Sequence, residues 1–136
     1  MAFKYSHAVE VRFRDCDPMG HVNNAVYLTY LEVARFAYWR DVCGGRNWGD
    51  IGFIMARAEI DYKAPVEQGD TVHVHLGIPK IGRTSFDFGY ELLDQNGRLV
   101  GTARTVQVMY DYAAKTPVPV PDSFRQQVSA FEGISV

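Results

Sequence analysis

The sequence predicts an α+β fold: one strongly curved antiparallel sheet of about five strands around one long buried helix. Three observations carry this. Residues 24–42 run without a strand breaker, and their apolar positions recur at helical spacing. Four stretches after them, 53–62, 71–78, 84–93 and 98–110, alternate apolar and polar residues, and 7–14 does the same before them. Short breaker segments separate the later stretches, and strands joined so closely pair as an antiparallel meander. The 136 residues suit a single domain spanning 1–136. A core of that size needs no staple of disulfides or metal.

Each element follows from its residues. In 7–14, Val9, Val11 and Phe13 point one way, and Glu10, Arg12 and Arg14 the other. Pro18 and Gly20 then mark a turn. In the helix, Tyr27, Leu31, Ala34 and Tyr38 form one stripe, while Val26, Leu28, Val33 and Ala37 fill the other faces. Asn23 or Asn24 is the expected N-cap, and Gly44-Gly45 the stop. A loop with Trp48, Gly49 and Gly52 follows. Strand 53–62 places Ile54, Ala56, Ala58 and Ile60 on one face, and Pro65 and Gly69-Asp70 end it. Strand 71–78 alternates Val72, Val74, Leu76 and Ile78 against Thr71, His73 and His75. Strand 84–93 alternates through Phe86, Phe88, Tyr90 and Leu92. Asn96-Gly97 signals a hairpin into 98–110, read through Val100, Val106, Val108 and Tyr110. Residues 117–121 form a stiff, proline-rich extended segment. A short helix from Asp122 to about Phe131, capped by Asp122 or Ser123, closes the chain. One small sheet cannot cover a helix that is apolar nearly all round, so a second copy of the chain is expected to.

Composition narrows the function. Hydrophobic residues are 47% and charged residues 22%, the balance of an ordinary globular protein. A net charge of −2 argues against nucleic acid or an anionic membrane as the main partner. No apolar run approaches a membrane span, and the first residues lack a signal-type apolar core. Cys16 and Cys43 make no framework, so a reduced, cytoplasmic protein is the default. Cys16 sits beside two aspartates, which disfavour a thiolate nucleophile. His73 and His75 share one strand face, but no third metal ligand lies nearby in the sequence, so a half-exposed strand face is the better reading. Arg57 and Glu59 alternate on the polar side of a strand and suit a simple ion pair. There is no Gly-x-Ser-x-Gly elbow and no glycine-rich phosphate loop.

The densest polar cluster is Asp15-Cys-Asp17-Pro-Met-Gly20-His21-Val-Asn23-Asn24. Any turn before a helix contains such residues. Here, however, two carboxylates, an imidazole and two amides precede the start of a buried helix. Helix N-termini offer unpaired N–H groups and a positive dipole end to a developing oxyanion. A carboxylate beside them could act on a carbonyl as base or nucleophile.

The string Asp17-Pro-Met-Gly-His21-Val-Asn23-Asn24-Ala-Val-Tyr27-Leu, followed by Glu32-Val-Ala-Arg35, resembles the hotdog-fold acyl-CoA thioesterases. The resemblance is to the branch of 4-hydroxybenzoyl-CoA thioesterase and its fatty-acyl relatives. Ile60-Asp-Tyr-Lys63-Ala-Pro65 through Gly69-Asp70 resembles the family's bend between strands, and Gly82-Arg83-Thr84-Ser85-Phe86 its central strand turn. The resemblance implies hydrolysis of an acyl-CoA by a homodimer or homotetramer whose sites lie between subunits, with no cofactor. It implies Asp17 as the catalytic carboxylate and the Asn24 N–H as the carbonyl-polarising donor. The position of His21 is apolar in the hydroxybenzoyl enzymes and His in fatty-acyl relatives, so His21 either orients Asp17 or a water, or only satisfies the loop. Arg83 and Ser85 match the family's region near the pantetheine and nucleotide. Coenzyme A is anionic, and Lys115 is a further basic candidate. Two other readings stand beside hydrolysis: a hydratase or dehydratase of acyl thioesters, and a non-catalytic acyl-CoA or acyl-carrier binder.

Overall fold

A computed structural model describes residues 3–45, 49 and 51–134. Trp48, expected in the loop after the long helix, lies outside the described residues. The elements are β1 (Tyr5–Glu10), a 3-10 turn (Phe13–Asp15), α1 (Val26–Cys43), β2 (Ile51–Tyr62), β3 (Thr71–Ile81), β4 (Ser85–Leu93), β5 (Leu99–Asp111), β6 (Thr116–Pro117) and α2 (Asp122–Glu132). The sheet runs β1-β3-β4-β5-β2 with β6 on β5, and every pairing is antiparallel. Leu31, Ala34 and Tyr38 of α1 share one buried core with Leu76, Phe88 and Val100 of the sheet. Each such burial stabilises the fold by about 1.5–3 kcal/mol for a large side chain.

The α+β architecture is as expected, but the strand order corrects the meander. Only β3, β4 and β5 follow one another; β2 lies on the far side of β5. The connection after β2 causes this. Lys63 N–H donates to the Val100 carbonyl at 2.9 Å, and buried Val66 accepts from Val22 N–H at 2.8 Å. The chain is thus carried across the end of the sheet before β3 begins.

Several local readings also shift. The first strand stops at Glu10, and Phe13 is 78% exposed rather than core-facing. Asp15 causes the break: its carboxylate takes the Arg12 N–H at 3.0 Å and the Arg12 guanidinium at 3.0 Å, winding the chain into the 3-10 turn. In β2 the register slips between Met55 and Arg57, so the expected Ile54–Ile60 face is not continuous. Phe53 packs on the core before the bulge and Ile60 after it. In β5 the buried side is Thr105, Gln107 and Met109, opposite to the expected Val106, Val108 and Tyr110. Most of that polar interior is bonded, although the buried Gln107 Oε1 meets no donor among the described residues. Arg35 donates to Tyr90 Oη at 3.2 Å, and Tyr90 and Gln107 Nε2 both meet Thr105 Oγ1 at 2.6 Å.

The helix caps move by a residue or more. Ala25 occupies the N-cap of α1 without a side-chain bond; Asn23 Oδ1 instead takes the Ala25 N–H at 2.9 Å. Gly44 closes α1 in the left-handed conformation, as expected, with φ 70°. Pro121, not Asp122 or Ser123, is the N-cap of α2. The Asn96-Gly97 turn is present, with Asp94 Oδ1 accepting the N–H groups of Asn96 and Arg98 at 2.9 Å. Leu28, Val33 and Phe36 of α1 remain 37%, 39% and 56% exposed, so one chain leaves an apolar flank of the helix uncovered.

Candidate active site

The loop between β1 and α1 assigns opposite roles to its two aspartates. Asp15 is 2% exposed and also accepts the Tyr30 hydroxyl at 2.8 Å. Burial pushes its carboxyl up, but the bonds from Arg12 and Tyr30 outweigh this and hold it below the usual carboxylate value. Asp15 is therefore spent on structure.

Asp17 is only half-buried. Its backbone closes a tight loop: Asp17 N–H donates to the His21 carbonyl at 2.8 Å, and Gly20 N–H to the Asp17 carbonyl at 2.9 Å. Gly20 has φ 86°, a conformation that a residue with a Cβ rarely adopts. Asp17 Oδ1 accepts the Met19 N–H at 2.9 Å; among the described residues Oδ2 has no partner. The His21 imidazole makes no hydrogen bond among the described residues.

Asn24 directly precedes Ala25, the N-cap of α1. Several backbone groups around it are engaged. Asn23 N–H donates to Asp15 O at 2.9 Å, Val26 N–H to Asn23 O at 2.9 Å, and Tyr62 Oη to Asn24 O at 3.0 Å. The Asn24 N–H meets no acceptor among the described residues. A free N–H just ahead of an 18-residue helix is a donor available to an anionic oxygen.

These groups line one cavity of about 300 Å³, with Asp17, His21, Asn24, Tyr27, Tyr62 and Lys63 on its walls. Asp17 also borders a second hollow of about 450 Å³ toward Phe13, Arg14 and Gln68. The structure thus brings together the three residues expected to be catalytic. Tyr62 and Lys63 are additions. Both sit in the Ile60–Asp70 segment, but nothing in one sequence indicated that this bend returns to the loop before α1.

Arg83, Ser85 and Lys115 are not brought to this cavity. Ser85 pairs with Val108, whereas Tyr62 pairs with Gly101. Those partners are seven residues apart along β5, roughly 23 Å at strand rise. Arg83 is exposed in the β3–β4 turn, where its carbonyl accepts the Val120 N–H at 2.8 Å. Lys115 is exposed at φ 58° beyond the end of β5. Arg57 pairs with Glu59 at 2.7 Å on the surface. Among the described residues no three His, Cys, Asp or Glu side chains gather as a metal site, and no helix is long and apolar enough to cross a membrane. Cys16 and Cys43 are free thiols, and burial pushes the Cys43 thiol up to about 12.

The fold has close counterparts. The family model of the thioesterase-like superfamily matches residues 11–128. The chain belongs to the thioesterase-like superfamily. A solved thioesterase of Thermus thermophilus, complexed with coenzyme A and Zn, superposes with a TM-score of 0.85 at 34% identity, covering 99% of this chain and 98% of that one. A 1,4-dihydroxy-2-naphthoyl-CoA hydrolase of Synechococcus elongatus is 30% identical over 120 residues, 82% of this chain and 85% of the relative. The Bacillus subtilis protein YneP, named as a candidate acyl-CoA thioesterase, is 29% identical over 129 residues, 91% of this chain and 92% of the relative. The hotdog fold and an enzyme of the thioesterase type, both expected from the Asp17–Asn24 string, are therefore borne out. This thioesterase-like chain carries the chemistry of thioester hydrolysis.

Proposed function

We propose that the protein hydrolyses acyl-CoA thioesters, with Asp17 as base or nucleophile and the Asn24 N–H as the donor to the thioester oxygen. The observation that supports it best is the shared cavity, lined both by Asp17, whose carboxylate has an unengaged oxygen, and by Asn24, whose N–H meets no acceptor among the described residues. Hydrolysis needs a negative charge to develop on the carbonyl oxygen. A fixed N–H reinforced by a helix dipole stabilises that charge without reorganising. Asp17 then either attacks the carbonyl carbon, giving a mixed anhydride that water hydrolyses to the free acid, or takes a proton from the attacking water. The coenzyme leaves as a thiolate, so no strong general acid is required. The relatives named for coenzyme A complexes and acyl-CoA hydrolysis support the same substrate class.

The working unit on this reading is a homodimer, alone or within a tetramer. β2 is a 12-residue edge strand with a free side, and Ile54 and Met55 on it are 39% and 43% exposed. Long apolar edges invite pairing. A two-fold axis joining two β2 strands antiparallel sets the Tyr62 end of one against the Ile51 end of the other. Ile51 pairs with Asp111, at the end of β5 that leads to Lys115. Such a dimer carries Arg83, Ser85 and Lys115 of the partner subunit toward the Asp17 cavity, where coenzyme phosphates need cations.

The deciding experiment measures free thiol released from a panel of acyl-CoAs by the native protein and by Asp17→Asn. Turnover by the native protein, with a loss of at least about 100-fold in kcat for the variant and an unchanged melting temperature, is the expected result. Full kcat in Asp17→Asn overturns the catalytic assignment. Binding without thiol release marks a carrier instead.

A further inference from the structure

We infer that Tyr62 is a positioning residue, whose hydroxyl fixes the Asn24–Ala25 peptide so that the Asn24 N–H is presented to the thioester oxygen. The inference rests on the proposed role of Asn24 and adds the group that holds it.

The backbone accounting leads there. Helix α1 begins at Val26 with Ala25 as its N-cap, so the Asn24 carbonyl lies outside the helical ladder. Within this segment the chain supplies its own local partners to Asn23, Ala25 and Val26. The Asn24 carbonyl is different: its partner is Tyr62 Oη at 3.0 Å, 38 residues away on the end of β2. The Asn24–Ala25 peptide is thereby held on both sides, by Asn23 Oδ1 on its N–H and by Tyr62 on its oxygen. A peptide held at both ends restrains ψ of Asn24, and the Val26 N–H holds the oxygen of the adjoining Asn23–Asn24 peptide at 2.9 Å. The neighbouring N–H, the one left open, inherits that orientation.

Tyr62 is itself well placed for this. Its ring meets Tyr27 edge-on, with centroids 5.0 Å apart and planes at 76°. Tyr27 meets Tyr30 edge-on at 6.0 Å, and Tyr30 donates to Asp15. A ladder of three tyrosines therefore ties the edge strand to both ends of the catalytic loop. Removing only the hydroxyl leaves the ladder intact. The Asn24 carbonyl is on an exposed residue, so water replaces the lost donor and the fold is little affected. What water does not replace is the fixed direction. Positioning of an oxyanion donor acts in the transition state rather than in the ground state, so its loss lowers kcat more than it changes KM.

The experiment compares Tyr62→Phe with the native protein and Asp17→Asn, using one acyl-CoA that the native protein turns over. The expected result is a kcat lowered about 10- to 100-fold, with KM within about twofold, a smaller loss than the roughly 100- to 1000-fold for deleting an oxyanion donor outright, because the Asn24 N–H is still present. The melting temperature stays within a few degrees, and the Asn24 amide resonance shifts or broadens. Retention of kcat within about twofold, while Asp17→Asn is inactive, overturns the role of Tyr62 and leaves the proposed function standing. A raised KM with unchanged kcat also overturns it, since Tyr62 would then be a substrate contact. An unmoved Asn24 resonance does the same. An active Asp17→Asn instead removes the functional reading on which the inference rests.

Discussion

Asp15 and Asp17 stand two residues apart and show how environment divides one residue type between structure and chemistry. Asp15 is enclosed and triply bonded; Asp17 keeps one oxygen open to a cavity. Asp15→Asn removes the charge that holds Arg12 and weakens the Tyr30 bond, at a cost of about 2–3 kcal/mol. Its effect is pH-dependent. The folded carboxyl lies below its ordinary value, so its stabilisation is complete above about pH 4 and is lost as the pH falls through the folded value. Acid titration of the melting temperature should therefore fall less steeply in Asp15→Asn than in the native protein. His21 presents a further contrast. It lines the cavity, but its imidazole makes no hydrogen bond among the described residues. His21→Ala should lower kcat less than Asp17→Asn, if it only orients a group. Equal losses at unchanged melting temperature would make it a direct participant.

At the scale of elements, helix α1 is held at two ends by different means. Its start is fixed by the loop and by Tyr62. Farther along, the Tyr38 hydroxyl donates to Glu132 of α2, and the same carboxylate accepts the Ile78 N–H at 3.0 Å. Burial, reinforced by Glu132, pushes the Tyr38 hydroxyl pKa far above its usual value, so it is a donor at every working pH. Glu132→Ala leaves both donors without their acceptor and should cost about 1–3 kcal/mol. Tyr38 lies about 20 Å along the helix from Asn24. Thermal melts should show the loss, while kcat at a temperature where the variant is folded should be nearly native. A collapse of kcat with unchanged stability would contradict this division of labour.

At the scale of the whole molecule, the exposed apolar flank of α1 and the free edge of β2 lie on surfaces that a second copy would cover. Phe36→Asp places a charge there, and sedimentation at micromolar concentration should then show a 15.4 kDa species that the native protein lacks. A native protein sedimenting as a fully active monomer would refute the shared-site arrangement. Arg83 belongs to the same scale, because no single chain brings it to the cavity. Arg83→Ala should raise KM for acyl-CoA more than for a short acyl-pantetheine, with kcat little changed, since a guanidinium on phosphate contributes mostly uniform binding. Equal KM effects on both substrates would detach it from the nucleotide.

Read alone, the sequence determined the element order, the long helix, the buried stripes of β3 and β4 and the polar string before the helix. Each of these is local: periodicity, breakers and caps act within a few residues. The hotdog resemblance rested on the same contiguous string. What only tertiary structure decided depended on distant pairing. Asp15 became structural because Tyr30 and Arg12 enclose it. The buried face of β5 reversed because Thr105 bonds both Tyr90 and Gln107, and Arg35 donates to Tyr90 in turn. The strand β2 left the meander because Lys63 bonds Val100 across the sheet end. Tyr62 reached Asn24 for the same reason: the crossover that breaks the expected order delivers the end of β2 to the start of α1. No periodicity encodes such a meeting, since it arises from where two remote backbone segments satisfy their hydrogen bonds.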